Sequence, residues 1–456
     1  MKKAALLIPL LLLFLGTASL FAQNPRVDGY RGIWFSTGPR QEYGYKLSGG
    51  VATFGSRHRP IAVYSEKAKK TFFVFGGTTA QDERHLLIMA SFFDHRSGKV
   101  PKPVIVYDKM GVKEPYDNSS LTLDEDGHIW IFVSGYGRTR PGLVFKSNSP
   151  YSVDGFEMIT KMEMVSPQPW HLGEKGFILL YSKTGERAEL FCSSSDNGRD
   201  WTDNRKLASM GGHLQISESY GGRVATAFNY FPGGDIDSQT NLYLMLSDDS
   251  GNTWKTIEGR SLQVPLTDVK NEALLKDFEN EGSLVHLSDI DFDRNGEPVI
   301  LIVVSKGNVP GPASGPREWF VVFRKNNEWA FSKVCESTHN FDRGAIDISE
   351  NEWRIIGPTE PGPQKYGAGG EIALWTSNDN GTSWEKRLDV TVNSINNNSF
   401  VRNPDNVNKE FYALWTDGNS DEFSRSCLYF TNEKCNKVWM LPYEMKYDMQ
   451  KPLRIR

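Results

Sequence analysis

Arg138 and Arg140 stand two residues apart in "GYGRTRPG", a run punctuated by glycine and proline. A planar guanidinium meets a carboxylate through two parallel hydrogen bonds, so a loop arginine is a candidate clamp for an acidic group. Arg140, followed directly by Pro141, is the better placed of the two. His58 lies between Arg57 and Arg59 in "SRHRP", and flanking cations hold an imidazole neutral, the form a base needs. His213 follows two glycines in "MGGHLQ", where backbone can approach a ligand closely. Tyr230 precedes a Pro-Gly-Gly loop in "FNYFPGG" and is a candidate acid or base. Glu360 is stiffened between prolines in "PTEPGPQKYG", and Trp170 in "PQPWHLG" offers a face on which a sugar could stack. Each has a plainer reading beside the chemical one: solvated arginine, turn histidine, strand tyrosine, loop acid.

Acid pairs are a different matter. "SSDNGRDW" (194–201), "SDDSGNTW" (247–254) and "SNDNGTSW" (377–384) share one outline: Ser, Asp two later, Gly four later, Trp seven later. A unit repeated three times is scaffold rather than one active site. Asp196, Asp249 and Asp379 are expected to accept backbone N–H groups across a tight turn. Gly takes the unusual backbone angle and Trp packs beneath. "LDEDGHIW" (123–130) and "DFDRNGEP" (291–298) read as degenerate relatives.

The elements that must position these residues are strands. "IAVYSEKAKKTFFVFGG", "LTLDEDGHIWIFVSG", "PVILIVVSKG" and "EFYALWTDGN" are short apolar or alternating runs that break at Gly, Asn or Asp. Only 268–282, "DVKNEALLKDFENEG", reads as helix-like, and as a loop insertion. With 39% hydrophobic residues and 12 tryptophans, the chain can bury a large core. An all-β domain of this length is expected to be built radially from repeated sheets, a single β-propeller over 23–456. Residues 1–22 read as a signal peptide. Lys2 and Lys3 precede an apolar run too short to span a bilayer, then small residues before a cut after Ala22. The expected protein is therefore exported, periplasmic or secreted, with no membrane span and as a monomer.

The net charge of −4 gives no basic excess, so nucleic acid is a poor partner. No CxxC, HExxH, phosphate loop or dinucleotide fingerprint occurs, so no metal ligand set and no cofactor is expected. Cys192, Cys335, Cys427 and Cys435 are too widely set for a zinc cluster. Cys427 and Cys435 could bridge a hairpin, or all four could be buried thiols.

The three boxes resemble the Asp-box, or BNR, repeat of sialidase-like propellers. Longer phrases narrow this: "DGYRGIWF", "EYGYKLSGGVATF", "DGHIWIFVSGYGRTRPGLVFKS", "GGHLQIS", "IIGPTEPGPQKYGAGGE" and "FYALWTDGNSDEFS". Together they resemble the BNR-repeat family of polysaccharide-active propellers. Its members include L-rhamnose-α-1,4-D-glucuronate lyases and rhamnosidases, with ulvan lyases and sialidases further off. The resemblance implies seven four-stranded blades, a polysaccharide substrate, and room for a structural divalent cation in the central channel. It implies a polysaccharide lyase first and a glycoside hydrolase second.

β-Elimination at a uronate needs a cation on the carboxylate, a base for the C5 proton and an acid for the leaving oxygen. The resemblance assigns these catalytic tasks to Arg140, His58, His213 and Tyr230. Substrate binding is expected of Arg138, Tyr116, Asn118, Trp170 and Glu360. Tyr116-Asp117-Asn118-Ser119 stands where the family has His-Asp-Asn-Pro, and the arginines of "GYGRTRPG" stand where ulvan lyases present a second histidine. Two other classes stay open: a non-catalytic glycan-binding propeller, favoured by Tyr116, and a sialidase, for which Arg31 beside Tyr30 would be the first arginine.

Overall fold

The computed structural model describes residues 23–55, 57–80, 85–111, 117–136, 140–184 and 188–456. The leader 1–22, Tyr116 and Arg138 lie outside the described residues. The chain folds into seven antiparallel sheets, five of four strands, one of six in blade 4 and one of five in blade 7, which together make a seven-bladed propeller. Blade 1 spans 62–108, blade 2 119–162, blade 3 165–208 and blade 4 215–276. Blades 5, 6 and 7 span 284–337, 345–389 and 397–454. From blade 1 to blade 6 each first strand packs against the next around a central channel, and the first strand of blade 7 packs against the second strand of blade 6. A meander of this kind puts the loop into each first strand, and the loop between second and third strands, on one rim. We call that rim the entry face. The other two turns of each blade lie on the opposite face.

Strand composition explains the packing. The second strands Lys70–Gly77, Pro298–Ser305 and Arg223–Tyr230 are buried nearly throughout, as strands covered on both faces by neighbouring blades must be. Their β-branched and aromatic side chains form apolar clusters between blades, such as Ile300, Ile302 and Val304 with Leu242, Leu244 and Leu246. Both chain ends close the ring. Met449–Gln450 pairs with Val100–Pro101 of blade 1. The wholly buried Tyr30 shares a 2.6 Å hydrogen bond with Ser91 and donates another, also 2.6 Å, to the Pro101 carbonyl. Arg31 donates to Asp28 at 2.7 Å and packs over Tyr443, so this pair belongs to the closure rather than to a sialidase-like arginine site.

The turn motifs behave as scaffold, with one correction. Asp249 accepts Thr253 N and Oγ1 at 2.8 and 2.7 Å, while Ser247 Oγ accepts Gly251 N at 2.9 Å. Asp379 repeats this with Ser383, and Ser377 with Gly381. Gly251 and Gly381 have φ of 83° and 78°, where a side chain is strained. Trp254 is fully buried beneath its turn. In the first box the register slips by one residue. Ser195, not Ser194, accepts Gly198 N at 2.8 Å, and Asn197 accepts Arg199 N and Asp200 N at 2.8 and 2.9 Å. Asp196 is exposed and holds no part of the turn. An Asn amide oxygen can cap as a carboxylate does, and that let the identical spacing mislead.

The segment 268–282 is not helical. Asn271 closes a turn on Ala273 and Leu274, and Leu274–Lys276 then pairs with the third strand of blade 4. Tertiary pairing overrides the local helix preference of Glu-Ala-Leu-Leu-Lys. All four cysteines are free thiols, so Cys427 and Cys435 do not bridge. Burial pushes the thiols of Cys192, Cys427 and Cys435 up to about 12.

Candidate functional site

A hairpin formed by Phe35–Thr37 and Leu47–Gly49 lies across part of the entry face. Trp34 Nε1 donates to the Asn419 carbonyl of blade 7 at 2.7 Å, and Tyr43 packs against Tyr366 of blade 6, ring centroids 4.9 Å apart. Lys46 pairs with Asp237 of blade 4. Leu47 and Val51 bury against Phe341, Ala368 and Phe400. The hairpin thus covers the rim from blade 4 to blade 7, and its two strands, 35–37 and 47–49, make no hydrogen bond or ion pair to blades 2 and 3 among the described residues. The open sector contains Arg140.

There the structure joins residues from blades 1 and 2. Arg140 pairs through Nη2 with Asp117 and donates through Nη1 to the Lys109 carbonyl at 3.2 Å. Lys109 Nζ lies 3.4 Å from Asp117 Oδ1 and donates to the Ser134 carbonyl at 2.6 Å. Ser134 Oγ in turn shares a 2.8 Å hydrogen bond with His58 Nε2 and accepts Ser166 N at 3.0 Å. Asp117, Ser134 and His58 have no exposed surface, and the Lys109 side chain is 3% exposed. The Arg140 side chain, 18% exposed, is where this network reaches solvent. Burial pushes the Lys109 ammonium down from its ordinary value, with Asp117 opposing and Arg140 adding to the effect. Two cations surround one carboxylate, and Arg140 Nε has no hydrogen-bond partner among the described residues. Burying unbalanced charge is costly, so the cluster is suited to an anion arriving at Arg140.

Neighbouring backbone explains why these residues meet. Tyr136 and Arg140 form an isolated antiparallel bridge, which sets their side chains next to one another where the second and third strands of blade 2 part. Asn118 donates to the Ala52 and Thr53 carbonyls at 2.7 and 3.0 Å and accepts Ser119 N at 3.0 Å. It fixes the entry into blade 2 and, 2% exposed, has no capacity left for substrate. The expected binding role of Asn118 is therefore corrected to a structural one.

Three further assignments, His58, His213 and Trp170, change for the same kind of reason. His58 is wholly buried, its pKa pushed down to about 3 by burial and by Arg57 beside it. It is neutral, as expected, but touches Ser134 rather than solvent. His213 is also wholly buried: Nε2 accepts Met210 N at 3.1 Å and Nδ1 faces the Asn229 carbonyl at 2.9 Å. Both nitrogens are committed, so it is a turn histidine. Trp170 is 1% exposed, sits in an apolar cluster and donates to Ser217 Oγ at 2.9 Å, leaving no face for a sugar. Glu360, in blade 6, lies 3.4 Å from Lys386, on a different blade from Arg140. Tyr230 keeps 8% exposure in blade 4; burial and Glu279, 3.4 Å from its hydroxyl, push its pKa up. No hydrogen bond or ion pair joins Tyr230 or His213 to the Arg140 network among the described residues.

In the channel, Arg59 pairs with Glu218 of blade 4 and Asp289 of blade 5. No group of three or more His, Cys, Asp or Glu among the described residues is arranged to hold a metal ion. No described helix is long and apolar enough to cross a membrane.

Comparison with known proteins follows from this architecture. An ulvan lyase of Nonlabens ulvanivorans is 22% identical over 318 residues, 60% of this chain and 65% of the relative, so the aligned stretch spans just under two thirds of that protein. A solved ulvan lyase structure, described as a new family of polysaccharide lyase, superposes with a TM-score of 0.69 at 15% identity. The superposition covers 90% of this chain and 96% of the other, and the same values hold for that lyase bound to -[GlcA(1-4)Rha3S]-. Those likenesses establish the shared propeller. The model of the BNR repeat-containing family matches residues 103–337, just over half of the chain, and the chain belongs to that family.

Proposed function

We propose that the protein is an exported polysaccharide lyase that cleaves the C4–O4 bond of a 4-linked glucuronate, with terminal L-rhamnose on D-glucuronate as the substrate class. The observation that carries this reading is the Lys109–Asp117–Arg140 cluster, with one cation in excess among the described residues and Arg140 reaching the open sector of the entry face. Arg140 binds the uronate carboxylate and stabilises the negative charge that grows as the C5–H bond breaks. The released electron pair forms the C4=C5 double bond, the C4–O bond breaks, and the leaving oxygen takes a proton. Tyr136, cross-strand from Arg140, is the phenol we assign to both proton steps: as phenolate it takes the C5 proton and then returns it to the leaving oxygen. Tyr116 and Arg138 belong to the same sequence neighbourhood. The family membership and the 22% identical ulvan lyase support the reaction class.

Incubation with rhamnose-capped, glucuronate-bearing arabinogalactan tests the proposal. Ultraviolet absorbance of an unsaturated uronate, together with free rhamnose, is the expected result. Rhamnose without that absorbance would make the enzyme a hydrolase.

A second reading is a glycan-binding propeller without catalysis. The burial of His58 and His213 favours it, since both imidazoles are withdrawn from solvent. Binding of the same glycan with no product would establish it.

A further inference from the structure

A cavity of about 670 Å³ opens on the face opposite the entry face, where the blade 1 turn 94–99 meets the blade 7 turns and the C-terminal strand. Its size falls within the roughly 300–1,000 Å³ of small-ligand clefts. Arg96, Lys409, Lys434, Lys437 and Lys451 line it, all exposed, and none makes an ion pair among the described residues. Two carboxylates, Glu410 and Glu433, share the lining, so the groove carries about three positive charges on a chain whose net charge is −4. Solvated lysines spread by chance do not converge on one concavity against the sign of the whole protein.

The cavity also has an aromatic wall. Phe411 stacks on Phe430, centroids 4.4 Å apart, and Phe430 stacks on Trp439 at 5.1 Å with 13° between planes. This column of rings rises from the core and ends at Trp439, which is half-buried and lines the cavity. One indole face is held by Phe430. A rigid aromatic ring amid unpaired cations is the chemistry that recognises an acidic sugar: C–H groups of the pyranose pack on the ring while carboxylate or sulfate groups meet the lysines.

We infer that this groove is a second glycan-binding site, separate from the Arg140 site, and that its ligand is an anionic oligosaccharide segment. The choice of a glycan over another polyanion rests on the function proposed above. The site would hold a polymer on the enzyme while the entry face works on a chain end.

Affinity electrophoresis in gels containing polygalacturonate, with dextran and poly-glutamate gels as controls, tests the inference. The wild type is expected to be retarded by polygalacturonate and not by dextran, less so as salt rises. Lys434→Glu with Lys437→Glu, both exposed and harmless to folding, should weaken retardation about tenfold, and Trp439→Ala should do the same. Arg140→Ala should leave retardation intact, which separates this site from the proposed active site whatever the outcome for catalysis. Unchanged retardation in the lysine pair would overturn the inference. So would complete loss in Arg140→Ala, or equal retardation by poly-glutamate that is indifferent to Trp439→Ala.

Discussion

Asp117→Asn removes the one carboxylate that the structure places between Lys109 and Arg140. Asparagine keeps the volume and one acceptor, so the change isolates charge. The network passes from two cations and one anion to two cations alone, in a place where Asp117 has no exposed surface. Breaking a buried pair by removing one partner costs about 3–5 kcal/mol, and the retained amide oxygen argues for the lower end. A propeller of this length has an unfolding entropy near 1 kcal/mol/K at about 2.1 cal/mol/K per residue, so the expected fall in Tm is about 3 °C. Adding Lys109→Met restores the original excess of one cation and should recover most of that fall. The assay is thermal unfolding followed by tryptophan fluorescence, with and without methyl β-D-glucuronide, and methyl β-D-glucoside as the neutral control. The glucuronide should raise the Tm of Asp117→Asn more than that of the wild type, because an anion now meets two uncompensated cations. A Tm unchanged within 1 °C, or equal stabilisation by the neutral glucoside, would refute the charge argument.

Three other outcomes follow from the same geometry. Arg140→Ala should lower turnover about 10²–10³-fold, and Arg140→Lys should lower it less than Ala because charge is kept while the fork is lost; steady-state kinetics on a confirmed substrate read the difference. Asp249→Asn and Asp379→Asn should each lower the Tm with turnover per folded molecule unchanged, whereas Asp196→Asn should change neither Tm nor turnover and Asn197→Ala should behave like the first two. His213 carries a pH signature. Its pKa is depressed from 6.5 to about 4 by burial, so its stabilisation is present above pH 6.5 and lost as pH falls toward 4. At 1.36 kcal/mol per unit, that is about 3 kcal/mol. Buried Asp342 and Asp405, raised to about 7, act in the opposite sense, so the test is the difference between wild type and His213→Asn in urea unfolding across that range.

The propeller was legible in the sequence because its signals are local and repeated: apolar runs of strand length, turn residues between them, and the Ser-x-Asp-x-Gly-x-x-Trp outline. Where the outline erred, at Asp196, the reason was also local, since Asn197 one position on can cap the turn equally well. The helix expected over 268–282 failed because pairing to blade 4 depends on residues some 30 positions away. The site was legible only in part. Arg140 stood out through its loop, but its partners did not. Lys109 closes a blade 1 strand in the unremarkable "VYDKMG", and only the neighbouring blade reveals that it faces Asp117 and Ser134. His58 and His213 were conspicuous by residue type, yet a sequence does not report burial, and their hydrogen bonds commit them inside the fold, His58 to the Ser134 hydroxyl and His213 to the Asn229 carbonyl.

Recognition of a uronate carboxylate is the central claim, and carboxyl reduction of the substrate tests it most directly. Rhamnose-capped glucuronate glycan and the same glycan with its glucuronates reduced to glucose are incubated with the protein in parallel, and both free rhamnose and unsaturated-uronate absorbance are followed. Elimination needs the carboxylate to make the C5 proton removable, so the account predicts both signals from the native glycan and neither from the reduced one. Equal release of rhamnose from the two, with no absorbance from either, would contradict it.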